Sequence, residues 1–387
     1  MDTTSNHPHG TTPLAITDSL SSGSRPLTQN NASSMCLEEL PYDVRHSILS
    51  SVPTIADLLA FVAGTWTYDT LEDMRQFISS YHSRILSPIG PNSVLPNKTD
   101  IVSIVAFHCT VVMPLVSRFM EWTQGHFEGL SLSDGLSHTE MKRILRGFYI
   151  YQLFCKVFCV NGRPILTTQP YVSADEKLEW FLSIYEPWET EEILCIHDFV
   201  DDKYHRVLDD TLWDAARIDP RLSPAIDMVT FARHPQVYKT GLGSLGLTVL
   251  LSMFNAADHK TLVNLVWQHI EQAWGPWVEE AVSTQCQARR RNRVFSARDR
   301  AEVERAPIPF TGDSEDSPPL AWVTIWKGTR SNRFGQWIPP SFREWGYVMW
   351  DSGRMITAGG IAALEEKWVE ACIVPNSDFF VDPRDRV

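Results

Sequence analysis

Long apolar runs are missing from this chain. No stretch approaches the roughly 18 consecutive apolar residues that mark a membrane-spanning helix, so we expect no membrane partner. A signal peptide is missing too, because residues 1–34 are rich in Ser, Thr, Asn and Pro and lack a basic start followed by an apolar block. These absences predict an intracellular location, in the cytoplasm, the nucleus or both.

Basic residues are also in short supply. Lys and Arg total 34 against 47 Asp and Glu, which gives a formal net charge of −13. Non-specific nucleic-acid binding depends on Lys and Arg that displace counterions, so the charge balance argues against a nucleic-acid partner. One basic run, Arg289–Arg293 (RRRNR), departs from that balance. It fits a nuclear import signal or an anion-binding patch, and equally a solvated part of a mixed-charge loop.

Neither a disulfide framework nor a metal-binding pattern is evident. The seven cysteines are odd in number and scattered, and most lie within apolar runs. Buried free cysteine behaves as a small apolar residue, whereas zinc sites usually carry closer C-x2-C pairs. We therefore expect no metal and no cofactor. The nearest approach to a ligand set is Cys155, Cys159, Cys195, His197 and His205.

A glycine-rich motif occurs at residues 241–246, where GLGSLG matches G-x-G-x-x-G. In dinucleotide-binding folds such glycines follow a buried strand and open a helix within a βαβ unit. The preceding residues, RHPQVYKT, do not resemble a buried strand, and no βαβ alternation surrounds them. The motif therefore predicts a flexible loop that feeds a buried helix.

An acidic stretch follows at residues 189–202. His197 and Asp198 have the residue types of a general base and its orienting carboxylate, but no nucleophile signature accompanies them. We therefore predict that they belong to a solvated acidic helix face. The other acidic residues of this predicted face are Glu189, Glu191, Glu192, Asp201 and Asp202.

The pattern of apolar residues predicts a mainly α fold. Alternating β-branched residues are sparse, Asn-Gly hairpin turns are nearly absent, and no repeat period is found. Ser137 and Glu140 have the S-x-x-E spacing of a capping box, which predicts a helix start. Pro114 predicts a kink or break in the apolar helix around it.

Composition divides the chain into five predicted regions. Residues 1–34 are predicted to be a disordered tail, because they cannot bury enough apolar surface. Residues 35–87 form an N-terminal helical module, and 101–285 an irregular helical body. Residues 286–319 read as a disordered, charged insertion. Residues 320–387 are rich in tryptophan and too short to stand alone, so we expect them to dock on the helical body.

The N-terminal module carries two apolar stripes at helical spacing. Pro41 fits the first position of a helix, Asp43 its first turn, and Pro53 stops it. Short amphipathic helices cannot bury their apolar faces against each other alone, so another surface must cover them. The first stripe is Leu40, Val44, Ile48, Leu49 and Val52, and the second is Ile55, Leu58, Leu59, Val62 and Trp66.

At these residues the sequence resembles the F-box, in the variant common among fungal proteins. The matching residues are Leu40-Pro41, Asp43, Val44, Ile48-Leu49, Val52, Asp57-Leu58-Leu59, Val62 and Trp66. Two later segments, MRQFISSYHSRILSPI and REWGYVMWD, are similar to segments of the same fungal proteins.

The resemblance implies function by contact, without catalysis. F-box modules dock on the adaptor subunit of a cullin-RING (SCF-type) ubiquitin ligase, and the rest of the chain recruits a target. An apolar helix face entering a partner groove would provide that contact. The implied partner-binding residues are Leu40, Pro41, Val44, Ile48, Leu49, Leu58 and Leu59.

Two alternatives stay open at this point. The apolar stripes fit ordinary core packing, in which case the F-box-like helices are retained only structurally. Alternatively, residues 150–260 form a small-molecule or metal-binding enzyme that uses the glycine-rich loop or the Cys/His set.

Overall fold

The computed structural model describes residues 71–86, 98–158, 172–211, 214, 241–270, 281–282, 308–314, 317–326 and 338–372. These residues are mostly helical and contain no strand, so the predicted mainly α class is confirmed. All of them belong to one unit of the chain, Met35–Val387.

The helices are numbered here in chain order. Short π-helical and 3-10 turns occupy His108–Val112 and Leu182–Ile184. The helices are α1 (Leu71–Leu86), α2 (Lys98–Phe107), α3 (Met113–His126), α4 (His138–Phe158), α5 (Ala174–Trp180), α6 (Pro187–Thr211), α7 (Leu247–Phe254), α8 (His259–Ile270), α9 (Leu320–Trp326), α10 (Pro340–Glu344), α11 (Ser352–Thr357) and α12 (Gly360–Cys372).

Helices α2 and α3 are joined through the π turn, in which Met113 N–H donates to the carbonyl of His108. Pro114 follows directly, has no N–H to donate, and crowds the carbonyl four residues earlier. The wider π turn absorbs that conflict. A kink or break was predicted at Pro114; the structure shows a local widening instead, and the helix runs on to His126.

The stretch Val102–His126 is apolar enough, by length and composition, to cross a membrane. Its most apolar window has a mean hydropathy of 1.6, and half of that window is buried inside the protein. Leu115, Val116 and Phe119 are almost fully buried there. Core helices of globular proteins meet the same criterion, so this single helix is weak ground for placing the chain in a membrane.

Helices α4 and α6 form the centre of the core. A Cβ at Gly147 of α4 would lie 3.0 Å from the Glu192 carbonyl oxygen and 3.0 Å from Ile196 Cγ1 of α6. Gly147 therefore lets the two helices approach closely. The start of α4 carries the predicted capping box: Glu140 N–H donates to Ser137 Oγ (3.1 Å), and Ser137 N–H donates to Glu140 Oε2 (2.9 Å).

The described parts of the tryptophan-rich segment, residues 320–326 and 338–372, pack on this core. Trp322 of α9 meets Trp188 of α6 edge to face, with ring centroids 5.4 Å apart. Trp326 contacts Trp368 of α12 in the same way at 5.6 Å. These contacts join the two ends of the segment to each other and to the body.

A buried histidine ties the π turn to α4. His108 Nδ1 lies 2.6 Å from the hydroxyl of Tyr149, and both side chains are almost fully buried. Burial lowers the pKa of His108 to about 4 and raises that of the Tyr149 hydroxyl. At neutral pH the tyrosine keeps its proton, so it can donate to an unprotonated imidazole nitrogen.

This histidine makes stability depend on pH. The folded pKa of His108 is about 4 and its usual value is 6.5, so its contribution is complete above pH 6.5 and is lost as pH falls toward 4. At about 1.4 kcal/mol per pKa unit, lowering the pH from 6.5 to 5 should remove about 2 kcal/mol. Urea unfolding at both pH values, compared between the native chain and His108→Gln, measures this loss. An identical pH dependence in the two proteins would contradict the assignment.

Candidate functional site

The residues implied by the F-box resemblance all precede the first described helix. They are Leu40, Pro41, Val44, Ile48, Leu49, Leu58 and Leu59, and they lie outside the described residues. Their role as an adaptor-binding surface therefore stays a prediction.

Helix α1 is the last part of the N-terminal module, after the F-box-like stripes, and it is fixed to the body. Its inner face buries Phe77, Ile78 and Tyr81. The hydroxyl of Tyr81 lies 2.8 Å from that of Tyr185, in the turn before α6. On the outer side, Arg75 lies over the ring of Trp180 at 4.7 Å. The element that continues the N-terminal module is therefore anchored to the core by apolar and polar contacts.

The glycine-rich loop is closed off by α4. Gln152 Oε1 accepts the N–H of Leu247, the first residue of α7, at 2.7 Å. Tyr151 donates its hydroxyl to the carbonyl of Gly243 at 2.9 Å. A phosphate at a helix start would need those free N–H groups, and here Gln152 occupies one of them. The loop is mostly buried, with Gly246 at a φ of +83°, and it leads into the buried helix that the sequence predicted.

The cysteines and histidines of the possible metal set occupy different surroundings. Cys155 and Cys195 are buried in the core, while His205 has an exposed side chain. Cys159 lies outside the described residues. In the part of the chain that the structure describes, no group of three His, Cys, Asp or Glu side chains is arranged to hold a metal ion.

The first buried ion cluster joins α4 to α6. Arg146 donates two hydrogen bonds to Glu192, at 2.7 and 2.6 Å, and its third nitrogen lies 2.9 Å from Glu189. Burial raises the pKa of Glu192 to about 7, against the attraction of Arg146. Because the guanidinium donates to both carboxyl oxygens, the pair links the two central helices at two points.

The second cluster joins α6 to α10. Arg343 donates two hydrogen bonds to Glu191, at 3.1 and 3.3 Å. A third nitrogen of Arg343 lies 3.9 Å from Asp198. Arg343 and Glu191 are both almost fully buried. This pair therefore anchors the first residue of REWGYVMWD to the body.

The third cluster anchors the last residue of the same motif. Arg143 of α4 lies 3.1 Å from Asp351 and 3.8 Å from Asp313. Ser137 also donates its hydroxyl to Asp351, and Asp313 accepts from the N–H and the hydroxyl of Ser352. Arg143 is therefore the cation on which two distant acidic segments converge.

A neighbouring pair, Glu140 and Arg354, extends this cluster. Arg354 donates to both carboxylate oxygens of Glu140, at 2.7 and 2.8 Å. Burial acts to raise the pKa of Glu140, but the hydrogen bonds from Arg354 and from backbone N–H groups hold it below its usual value. Arg354 also donates to the carbonyls of Ser131 and Gly135, which fixes the loop before α4.

The predicted solvated acidic face is wrong for its central residues. Glu191 and Glu192 are buried, and so is His197. His197 does contact Asp198, with Nδ1 2.9 Å from Oδ1, but the nearby thiol of Cys195 is fully buried and burial raises its pKa. A protonated, inaccessible thiol is a poor nucleophile, so the cluster is not arranged for covalent catalysis.

The C-terminal limit of the predicted insertion is also wrong. Residues 308–314 and 317–319 are among the described residues, and Asp313 is held by Ser352 and Arg143. Charged composition suggested solvated chain, whereas this acid is matched to a buried cation. The rest of the predicted insertion, residues 286–307, lies outside the described residues, as does Arg289–Arg293.

Sequence analysis missed the buried arginines, although one signal was present. Arg143 and Arg146 lie one helical turn apart in a helix whose later turns are mostly apolar, and Glu189 and Glu192 have the same spacing. Charges inside an apolar helix require partners, and matched spacing on two helices indicates where those partners lie. Together, the three clusters tie α4, α6 and the C-terminal segment to one another.

Comparison with protein-family models, with curated proteins and with solved structures gives no match to this chain.

Proposed function

We propose that this chain is a non-catalytic interaction protein of the F-box-like type, a substrate-recruiting subunit of an SCF-type ubiquitin ligase. The observation that carries the proposal is the stripe from Leu40 to Leu59, with its leucine-proline start and spacing. Residues 35–87 would bind the adaptor, and the helical body would present the target.

The attachment of α1 supports this division of roles. A recruiting subunit must hold its target at a fixed position relative to the ligase, so the adaptor-binding module and the target-binding body need a firm connection. Helix α1 provides one, because Phe77, Ile78 and Tyr81 are buried in the body directly after the F-box-like stripe.

The use of the charged groups in the body also favours a non-catalytic role. Arg143, Arg146 and Arg343 are committed to buried pairs that link helices. The glycine-rich loop is sealed by Gln152. These contacts weigh against the alternative in which residues 150–260 form a nucleotide- or metal-dependent active site.

The test is adaptor binding by the Leu40→Ala/Pro41→Ala double variant. Removing central anchors from such an interface costs about 2 kcal/mol or more of binding free energy. This cost corresponds to a roughly thirtyfold larger dissociation constant. Binding of the purified full-length chain to the adaptor, measured by calorimetry, should show this loss. Thermal unfolding of the variant should match the native chain.

Ile356→Ala provides a matched control, because Ile356 is an exposed apolar residue of the C-terminal region. Its adaptor affinity should equal that of the native chain. If the double variant folds and binds as tightly as the native chain, the proposed interface is wrong. If the native chain itself does not bind, the alternative that the F-box-like helices serve only as structure is favoured.

A further inference from the structure

A small basic surface lies where α3, α6 and the end of α7 meet. Arg118 of α3 and Lys203 of α6 both point at the half-buried ring of Phe254, the last residue of α7. The guanidinium carbon lies 4.6 Å and the ammonium nitrogen 4.4 Å from the ring centroid. Two cations from separate helices therefore converge on one aromatic side chain, in a chain whose net charge is −13.

Neither cation forms a salt bridge with an acidic side chain in the described part of the chain. The ammonium of Lys203 lies over the ring of Phe254, and Arg118 adds a long hydrogen bond, 3.4 Å, to the side-chain oxygen of Asn255. Arg206, one turn further along α6, differs, because its guanidinium lies 2.9 Å from Asp202. Charge is therefore balanced at Arg206 and in excess at the other two positions.

The pKa of Lys203 agrees with an excess of positive charge at this surface. Its pKa lies below the usual value, first because partial burial disfavours the ammonium and then because Arg118 and Arg206 repel it. The carboxylates of Asp210 and Asp202 oppose this shift less strongly. Half-buried like charges held together at a cost are typical of sites that accept a compensating anion.

The surrounding backbone differs from that of a typical phosphate site. Phosphate sites generally use several N–H groups at a helix start or a nest, whereas α7 ends at this surface. Cations separated across a ring suit carboxylates spaced along an extended chain. An acidic segment is complementary in charge to the two cations of this surface.

We propose that Arg118, Lys203 and Phe254 form a docking site for an acidic segment of a partner protein. Its carboxylates pair with the two cations, and an apolar side chain between them contacts the aromatic ring. This proposal does not depend on the proposed ligase function, because peptide binding to the site is measured in the absence of the adaptor.

The test uses a fluorescein-labelled peptide of alternating Glu and Leu, with fluorescence anisotropy as the readout. The full-length chain should bind it, and Arg118→Gln and Lys203→Gln should each weaken binding about fivefold or more, the effect of about 1 kcal/mol. Raising the salt concentration from about 50 mM to about 500 mM should weaken binding further. A peptide with Gln in place of Glu should not bind.

Arg206→Gln is the matched control, because it removes the same charge from the same helix at a position already paired with Asp202. It should change the affinity by less than about twofold. The proposal is overturned if Arg206→Gln weakens binding as much as Lys203→Gln, if no peptide binds, or if millimolar inorganic phosphate displaces the peptide. Thermal unfolding confirms that each variant is folded.

Discussion

Replacing Arg343 by Met is expected to destabilise the protein by about 3–5 kcal/mol, because it leaves the buried carboxylate of Glu191 without its cation. Glu191 is 1% exposed, and Arg343 grips both of its carboxylate oxygens. Without the guanidinium, the carboxylate must stay desolvated or take up a proton, and each costs free energy. Urea unfolding followed by far-ultraviolet circular dichroism measures the loss.

The double variant Arg343→Met/Glu191→Met distinguishes two causes of the loss: an unpaired buried carboxylate and the loss of side-chain packing. Replacing both members of a buried ion pair by apolar side chains of similar volume is often neutral, so the double variant should regain most of the lost stability. Arg206→Met is the exposed control, and loss of its surface pair with Asp202 should cost about 1 kcal/mol or less. A loss below about 1 kcal/mol in Arg343→Met would contradict a tight buried pair.

The helical character of the body could be predicted because it depends on local pattern. Apolar periodicity marks α4, and the Ser137–Glu140 capping box marks its start within one turn. Pro114 also acts locally, so its conflict with the helix was foreseeable. Whether that conflict produces a kink, a break or a π turn depends on how the segment packs against the neighbouring helices. Local sequence does not encode that packing.

The buried ion clusters could not be placed in the same way, because their members are far apart in sequence. Arg143 and Asp351 are separated by 208 residues, and Arg343 and Glu191 by 152. Local composition made Glu191 resemble a surface residue, because the many acidic residues around it are typical of a solvated helix face. Only the packing of α10 against α6 distinguishes it.

The same limit applies to the basic surface at Phe254. Arg118, Lys203 and Phe254 come from three separate helices, and none lies in a basic run. The one basic run that the sequence does show, Arg289–Arg293, lies outside the described residues. Charge excess at a surface is therefore a property of the fold, and a count along the chain misses it.

The C-terminal segment shares one core with the body, so damage to it should destabilise the whole unit. Trp350 is fully buried and donates its indole N–H to the carbonyl of Trp345 at 2.6 Å. Trp350→Ala should cost about 3–5 kcal/mol through the cavity it leaves. Trp350→Phe keeps most of the apolar contact but leaves that carbonyl without its donor, so it should cost about 1–3 kcal/mol.

Trp180→Ala is the control for this series, because Trp180 is only partly buried and packs beneath Arg75. Its cost should be well below that of Trp350→Ala. Urea unfolding should show one transition in every variant, shifted to lower urea for Trp350→Ala. If Trp350→Ala leaves the main transition in place, the segment folds separately. In that case the contacts of Arg343 and Asp351 join a separately folding segment to the body, and the segment does not contribute to the stability of the body.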